Sequence, residues 1–388
     1  MKSRKPEISM EFATKVIHAG IEPDPTTGSI MTPVHLTSTY VQERLGKDKG
    51  YQYSRISNPT RTVLETQVAA LEGGKHGLAF GSGMAAISTL FSLLRAGDHV
   101  LVSRNVYGGT HRVATMVFNQ FLLDFEFIDT TSVHEVEQRI RRSTRMLFVE
   151  TPTNPTMEIS DVSALAKLCR KNKLILAVDN TFATPCFQNP LRDGADIVVH
   201  SATKYLNGHS DMLGGMLVLD NPSLVEQLRF RQKSIGAIMS PFDAWMCLRG
   251  IKTLAVRMNR HNANGIEVAR FLQNHRKVKH VNYPGLVGHP QHRLAQKQMR
   301  GFGGMISFDL GSLRNARKLL GRVRLCALAE SLGGVETLIS HPASMTHASV
   351  PRSVRDAIGI TDGLVRISVG IEDVRDIMAD LKQALSAI

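Results

Sequence analysis

From about Val63 onward, near-continuous apolar blocks alternate with amphipathic stretches. The periodicity predicts helices over 63–72, 84–94 and 162–172, and strands over 99–103, 146–150, 174–178, 197–199 and 214–219. Met146-Leu147-Phe148-Val149-Glu150 and Leu174-Ile175-Leu176-Ala177-Val178 are apolar almost throughout rather than at every second position, the pattern of strands covered on both faces. Strands of that kind interleaved with helices predict an α/β fold with a mostly parallel central sheet. Pro222 to about Arg260 reads as largely helical, and strands near 305–310 and 364–369 predict a smaller C-terminal α+β domain. The first 60 residues behave differently, because Pro23, Pro25, Gly28, Pro33, Gly46, Gly50 and Pro59 interrupt any sustained period. They predict an extended arm, and its Tyr40, Tyr51, Tyr53 and Arg55 need a surface that a second subunit would provide. The expected organisation is an arm over 1–60, a large α/β domain over 61–255 and a smaller α+β domain over 256–388.

At 388 residues, with 43% apolar and 21% charged positions, the chain is long enough for such a core. Lys and Arg number 47 against 34 Asp and Glu, a formal charge of +13. The densest basic cluster, Arg139-Arg141-Arg142-Arg145, has no interleaved aromatic residues, so the excess suits steering of anionic substrates or solubility, and no nucleic-acid partner is expected. Cys169, Cys186, Cys247 and Cys326 are too widely separated for a metal or redox pair, which fits reduced thiols in a cytoplasmic protein and no metal site. Met1-Lys2-Ser3-Arg4-Lys5 runs into Pro6-Glu7-Ile8 without an apolar signal core, and no segment forms a membrane span.

Chemistry concentrates at the carboxyl ends of the expected strands, where ligands bind in open α/β sheets. Glu150, Asp179 and the stretch His200 to Lys204 all fall there. Asp179 closes an apolar run in which a carboxylate needs a cationic or hydrogen-bonding partner; it equally fits a turn former before Asn180 and Thr181. Lys204, in Ser201-Ala202-Thr203-Lys204, is either an exposed charge or the amine that forms a Schiff base with pyridoxal phosphate (PLP), with Asp179 holding the ring nitrogen protonated. Gly81-Ser82-Gly83-Met84 at a helix start, together with the Ser201 and Thr203 hydroxyls, suits a phosphate. Tyr107, beside Gly108 and Gly109, could stack on a flat ring or simply fill a turn. Arg366, within Leu364-Val365-Arg366-Ile367-Ser368, faces either solvent or a substrate α-carboxylate.

Across essentially the whole chain the sequence resembles the Cys/Met-metabolism family of fold-type I PLP enzymes. The motifs that carry the resemblance are Tyr53-Ser54-Arg55-Ile56-Ser57-Asn58-Pro59-Thr60, Glu150-Thr151-Pro152-Thr153-Asn154-Pro155, Asp179-Asn180-Thr181-Phe182, Ser201 to His209 and Ser331-Leu332-Gly333-Gly334. The resemblance implies the fold-type I PLP-dependent transferase fold. It makes Lys204 the Schiff-base lysine and, with Tyr107, the acid–base pair, and it makes Asp179 the partner of the ring nitrogen. Tyr107 would stack on the ring and Asn154 would sit by its hydroxyl. Gly83, Met84, Ser201 and Thr203 would hold the phosphate, with Tyr53 and Arg55 reaching it from a neighbouring subunit, so that a homotetramer of catalytic dimers has composite sites. Ser331 and Arg366 would take the substrate carboxylate, Arg112 the distal carboxylate and Glu336 the distal ammonium. The expected reaction is γ-elimination of L-cystathionine to L-cysteine, 2-oxobutanoate and ammonia, with γ-replacement from activated homoserine or β-elimination as alternatives. Gln52 stands where an acidic residue often precedes the tyrosine in γ-eliminating members.

Overall fold

A computed structural model describes residues 10–348 and 350–388; the first nine residues of the expected arm lie outside them. Its strands are β1 (His76–Phe80), β2 (His99–Ser103), β3 (Asp124–Ile128), β4 (Thr144–Glu150), β5 (Ile175–Asp179), β6 (Ile197–Ser201), β7 (Gly215–Leu219), β8 (His280–Asn282), β9 (Met305–Asp309), β10 (Ala327–Leu328), β11 (Leu338–Ser340) and β12 (Leu364–Ser368). The first seven form one sheet in the order β1-β7-β6-β5-β4-β2-β3. Its run β6-β5-β4-β2-β3 is parallel, and β7 enters antiparallel to both β6 and β1. This is the mostly parallel sheet that the apolar blocks predict.

Both faces are covered, for the reason the sequence supplies. Phe148, Ala177, Val199 and Leu217 pack toward the helices Gly83–Phe91 and Pro222–Ile235. Leu147, Val149, Leu176 and Val178 face the opposite way, against the helix Val162–Asn172. Helix starts carry their own stop signals: Asn58 accepts the amides of Thr60 and Arg61 ahead of Pro59–Glu72, and Ser82 accepts the Ala85 amide ahead of Gly83–Phe91.

The second sheet, β10-β11-β12-β9-β8, is antiparallel except between β10 and β11. Val365 and Ile367 of β12 pack with Ile377 and Leu381 of the C-terminal helix Val374–Leu385. Leu364, Arg366 and Ser368 therefore point the other way, toward the large sheet. The 20-residue helix Leu254–Gln273 belongs to both cores, with Leu254 and Met258 in one and Val268 and Leu272 in the other. The architecture is the α/β fold with a smaller C-terminal domain.

The structure adds what the pattern did not announce. β1 carries Gly77 and a polar first residue, and β3 is an edge strand that alternates Asp124-Phe125-Glu126-Phe127. Within the expected arm, Phe12–His18 is a helix that buries Val16. The following segment is irregular and exposes Ile30, Leu36, Val41 and Leu45. In the basic cluster, Arg139 and Arg141 pair with Glu126 and Arg145 with Asp98. Among the described residues no helix is long and apolar enough to cross a membrane.

Gly215 marks the tightest junction between sheet and site, because a Cβ there would collide with the carbonyl oxygen of Ser82. Gly215→Ala is expected to cost about 1–3 kcal/mol of stability through this overpacking. A fall in Tm measured by calorimetry checks the assignment.

Candidate active site

Register builds the site. Glu150 pairs with Asp179 across β4 and β5, and Asp179 pairs with Val199 across β5 and β6. Their side chains, and that of Ser201 two residues on, thus emerge on one face, the face of the helix Gly83–Phe91. A cavity of about 320 Å³ opens there, between the carboxyl ends of the strands and β12. Lys204 enters it from the turn after β6, and its Nζ donates to Ser331 Oγ at 2.8 Å. Burial, and then the Arg366 cation, hold the Lys204 ammonium down to about 8, with Glu330 acting in the opposite sense. About a tenth of the amine is therefore free at pH 7 and half near pH 8, far more than for an ordinary lysine, as suits a nucleophile or proton carrier.

Two acids share the floor. Asp179 accepts the Thr181 amide at 3.0 Å. Glu150 accepts the Tyr107 amide at one oxygen and the Asn154 amide at the other, both at 2.9 Å. Burial pushes both carboxyls above the ordinary range, and in Glu150 the neighbouring Asp179 adds to the effect. Arg366 is buried rather than facing solvent; its Nη1 donates to Asn154 Oδ1 at 2.9 Å and its Nη2 to the Ser331 carbonyl at 3.0 Å. Burial holds the guanidinium down to about 10, and its Nε is buried without a partner among the described residues. Five hydrogen bonds thus run from the Tyr107 amide through Glu150, Asn154, Arg366 and Ser331 to Lys204. Ser331 holds its place with φ at +91°, an uncommon backbone state for a residue other than glycine.

Gly83 starts its helix so close to Ser201 that an added Cβ would lie 3.0 Å from the Ser201 Cβ. Open backbone amides at Gly83 and Met84 therefore face the cavity beside a hydroxyl. The Thr203 hydroxyl accepts the Gly214 amide at 3.0 Å. Met84, Tyr107, Asn154, Asp179, Ser201, Thr203, Ser331 and Arg366 all line the space together with Lys204 and Gly83.

Four sequence candidates lie elsewhere in the subunit. Arg112 is exposed at the end of the short helix Gly108–Arg112 and does not line the cavity. Glu336 also stands outside it, its carboxylate taken by the Ser210 hydroxyl. Tyr53 and Arg55 lie on the arm, where the Arg55 guanidinium rests 5.3 Å from the Tyr53 ring centroid and donates to the Lys233 carbonyl at 2.8 Å. The acid at the exposed edge of the cavity is Glu330. Its sequence signal is a carboxylate immediately before Ser331 in the Ser331-Leu332-Gly333-Gly334 motif, whereas the family resemblance points to Glu336. Thr181, whose hydroxyl accepts the Ser201 amide at 2.9 Å, was also missed; it lies two residues beyond Asp179. Among the described residues no His, Cys, Asp or Glu cluster could hold a metal ion.

A buried amine, a buried acid in register behind it and a helix start beside them repeat the motif order noted above, and a family model described as Cys/Met metabolism PLP-dependent enzyme matches residues 13–386. The chain belongs to that family. Among the relatives of this Cys/Met-metabolism enzyme, a cystathionine beta-lyase of Coxiella burnetii is 53% identical over 96% of this chain and 97% of its own. A cystathionine gamma-lyase of Bacillus subtilis is 51% identical over 98% of this chain and all of its own. The crystal structure of cystathionine gamma-lyase from Lactobacillus plantarum complexed with L-serine superposes with a TM-score of 0.96, at 44% identity, covering 98% of this chain and 99% of that one.

The Lys204 environment predicts a pH signature in cofactor-free protein. With half-neutralisation at about 8, acylation of Lys204 should rise roughly tenfold between pH 7 and pH 9 and then level off, whereas an ordinary lysine keeps gaining reactivity to above pH 10. Because the Arg366 cation lowers the value, Arg366→Leu should move the midpoint upward. Peptide mapping of the acylated residue across pH reads both effects.

Proposed function

We propose that this chain is a PLP-dependent carbon–sulfur lyase that cleaves L-cystathionine by γ-elimination. The observation that carries the reading is Lys204 Nζ, buried at the cavity floor on the Ser331 hydroxyl with its ammonium held down to about 8. PLP, when bound, supplies a carbonyl for amine exchange and a protonated ring that accepts the electron pair left by α-proton removal. The residues fit that group: two buried carboxylates with raised pKa values favour a cation placed against Asp179. The Gly83 and Met84 amides with the Ser201 and Thr203 hydroxyls suit its phosphate, and Asn154 the hydroxyl side of the ring.

Lys204 Nζ takes the substrate α-proton; γ-elimination then needs a second proton to leave the β-carbon before the γ-carbon–sulfur bond breaks, and Lys204 Nζ with the Tyr107 hydroxyl are the groups that carry these protons and return one to the departing sulfur. Arg366 Nε, buried without a partner among the described residues, offers the hydrogen bond that a substrate carboxylate needs, and Ser331 supports it. Glu330, exposed at the cavity mouth and without a salt-bridge partner among the described residues, receives the distal ammonium in place of Glu336. Tyr53 and Arg55 complete the phosphate site of a neighbouring subunit, which accounts for an arm that exposes Leu36, Val41 and Leu45 and calls for catalytic dimers within a homotetramer.

A second reading, β-elimination to homocysteine, pyruvate and ammonia, draws on the 53% identity to a protein named cystathionine beta-lyase. Product analysis with cofactor-loaded protein and cystathionine separates the two, with cysteine plus activated homoserine as a parallel reaction. Predominant cysteine and 2-oxobutanoate is the expected result. Predominant homocysteine and pyruvate would move the assignment to β-elimination, and efficient cystathionine synthesis without cleavage to γ-replacement. Lys204→Ala should keep its far-UV circular dichroism while kcat falls about 10³-fold or more. Glu330→Ala should raise KM for cystathionine about tenfold with a smaller change in kcat.

A further inference from the structure

Glu150 has no part in the acid–base scheme, yet it takes one backbone amide from each of two turns of the site. It ends the buried strand β4, is 5% exposed, and its own amide donates to Ser103 Oγ at the end of β2, at 3.2 Å. Each carboxylate oxygen takes a different backbone amide, Tyr107 at Oε2 and Asn154 at Oε1. The chain just outside these turns is tied together separately, Asn105 donating to Thr156 at 2.8 Å and to Glu158 at 2.9 Å and Arg104 to Glu158 at 2.9 Å, whereas Glu150 takes the amides of the two residues that line the cavity. Tyr107 precedes the helix Gly108–Arg112, which runs on without a break into further helical turns as far as Phe121, and its turn is held from the other side by His347 Nε2 on the Val106 carbonyl at 3.3 Å and by the Thr346 carbonyl packed on Gly108. Asn154 in turn carries Arg366 Nη1 on its side chain.

We propose that Glu150 is a positioning residue that staples the Tyr107 turn to the Asn154 turn, so that the ring-stacking side chain and the side chain on the ring's hydroxyl flank keep one fixed offset. The functional meaning rests on the lyase reading; the staple itself does not. A carboxylate is the required chemistry, because both groups presented to it are donors and both of its oxygens accept. Burial and the adjacent Asp179 raise the cost of that carboxylate, and the two amides offset it. Glutamine at this position keeps the shape but offers one acceptor, and its amide group would face a backbone N–H.

The test uses the full chain loaded with PLP, comparing wild type, Glu150→Gln and Glu150→Asp by hydrogen exchange and mass spectrometry over residues 104–112 and 151–158, with steady-state kinetics on cystathionine. In Glu150→Gln, amide exchange in at least one of the two segments is expected to accelerate about tenfold or more, with the strands of the large sheet unchanged. Its kcat should fall about 10- to 100-fold, with KM moving less than about threefold. Glu150→Asp, which keeps both acceptors one methylene further back, should lie between wild type and Glu150→Gln in both measurements, and carries the test alone if the glutamine variant loses its fold. Unchanged exchange in both segments overturns the staple. Accelerated exchange with kcat within about twofold of wild type overturns the positioning role. If wild-type protein cleaves neither end of cystathionine, the lyase reading falls, while the exchange data still decide whether the staple exists.

Discussion

Two carboxylates that end neighbouring strands away from water set the terms for everything around them. The parallel register of β4 and β5 places Glu150 beside Asp179, and like charges in such a place raise one another's proton affinity. The surrounding groups are arranged to answer that charge. Backbone amides converge on Glu150, Thr181 serves Asp179, and Arg366 is buried within electrostatic reach. The same guanidinium depresses the Lys204 ammonium, so Glu150 and the amine answer to one cation. Removing any member would alter the protonation of the others, which is the usual behaviour of coupled buried networks.

The central sheet and the helices on it were legible in the sequence because strands buried on both faces leave a continuous apolar signature. His99–Ser103 and Val162–Asn172 appear with the expected bounds, and β5 is shifted by one residue. The edge strand β3 and the short strands β10 and β11 carry little of that signature, since edges and two- or three-residue ladders bury few side chains. At the site, groups at strand ends or inside dense motifs could be named in advance, as Asp179, Lys204 and Arg366 were. Glu330 and Glu336 could not be ranked without coordinates, because both follow β10 within a few residues and only the path of the chain decides which one meets the cavity.

Under the proposed lyase reading, the direction of cleavage is hidden for a different reason. The two halves of cystathionine differ by one methylene between sulfur and α-carbon, so on that reading γ- and β-elimination would differ in which half Arg366 holds and how far the distal charge then extends. One methylene in a pocket is worth about 1–3 kcal/mol, a difference that small shifts of a mouth residue can reverse. Two relatives of nearly equal identity with different names, 53% for one and 51% for the other, agree with chemistry whose early steps are common and whose outcome turns on small distances.

The helix Leu254–Gln273 threads both cores, and this bears on how such chains can exchange parts. Recombination between relatives is tolerated where few contacts are split, and a breakpoint inside this helix would take Leu254 and Met258 from one parent and Val268 and Leu272 from the other. Each half would then meet a core shaped for a different side-chain set. Hybrids that keep the whole helix with either parent still mismatch one end, so the piece that specifies the C-terminal side of the cavity is inherited most safely together with the sheet that bears Lys204.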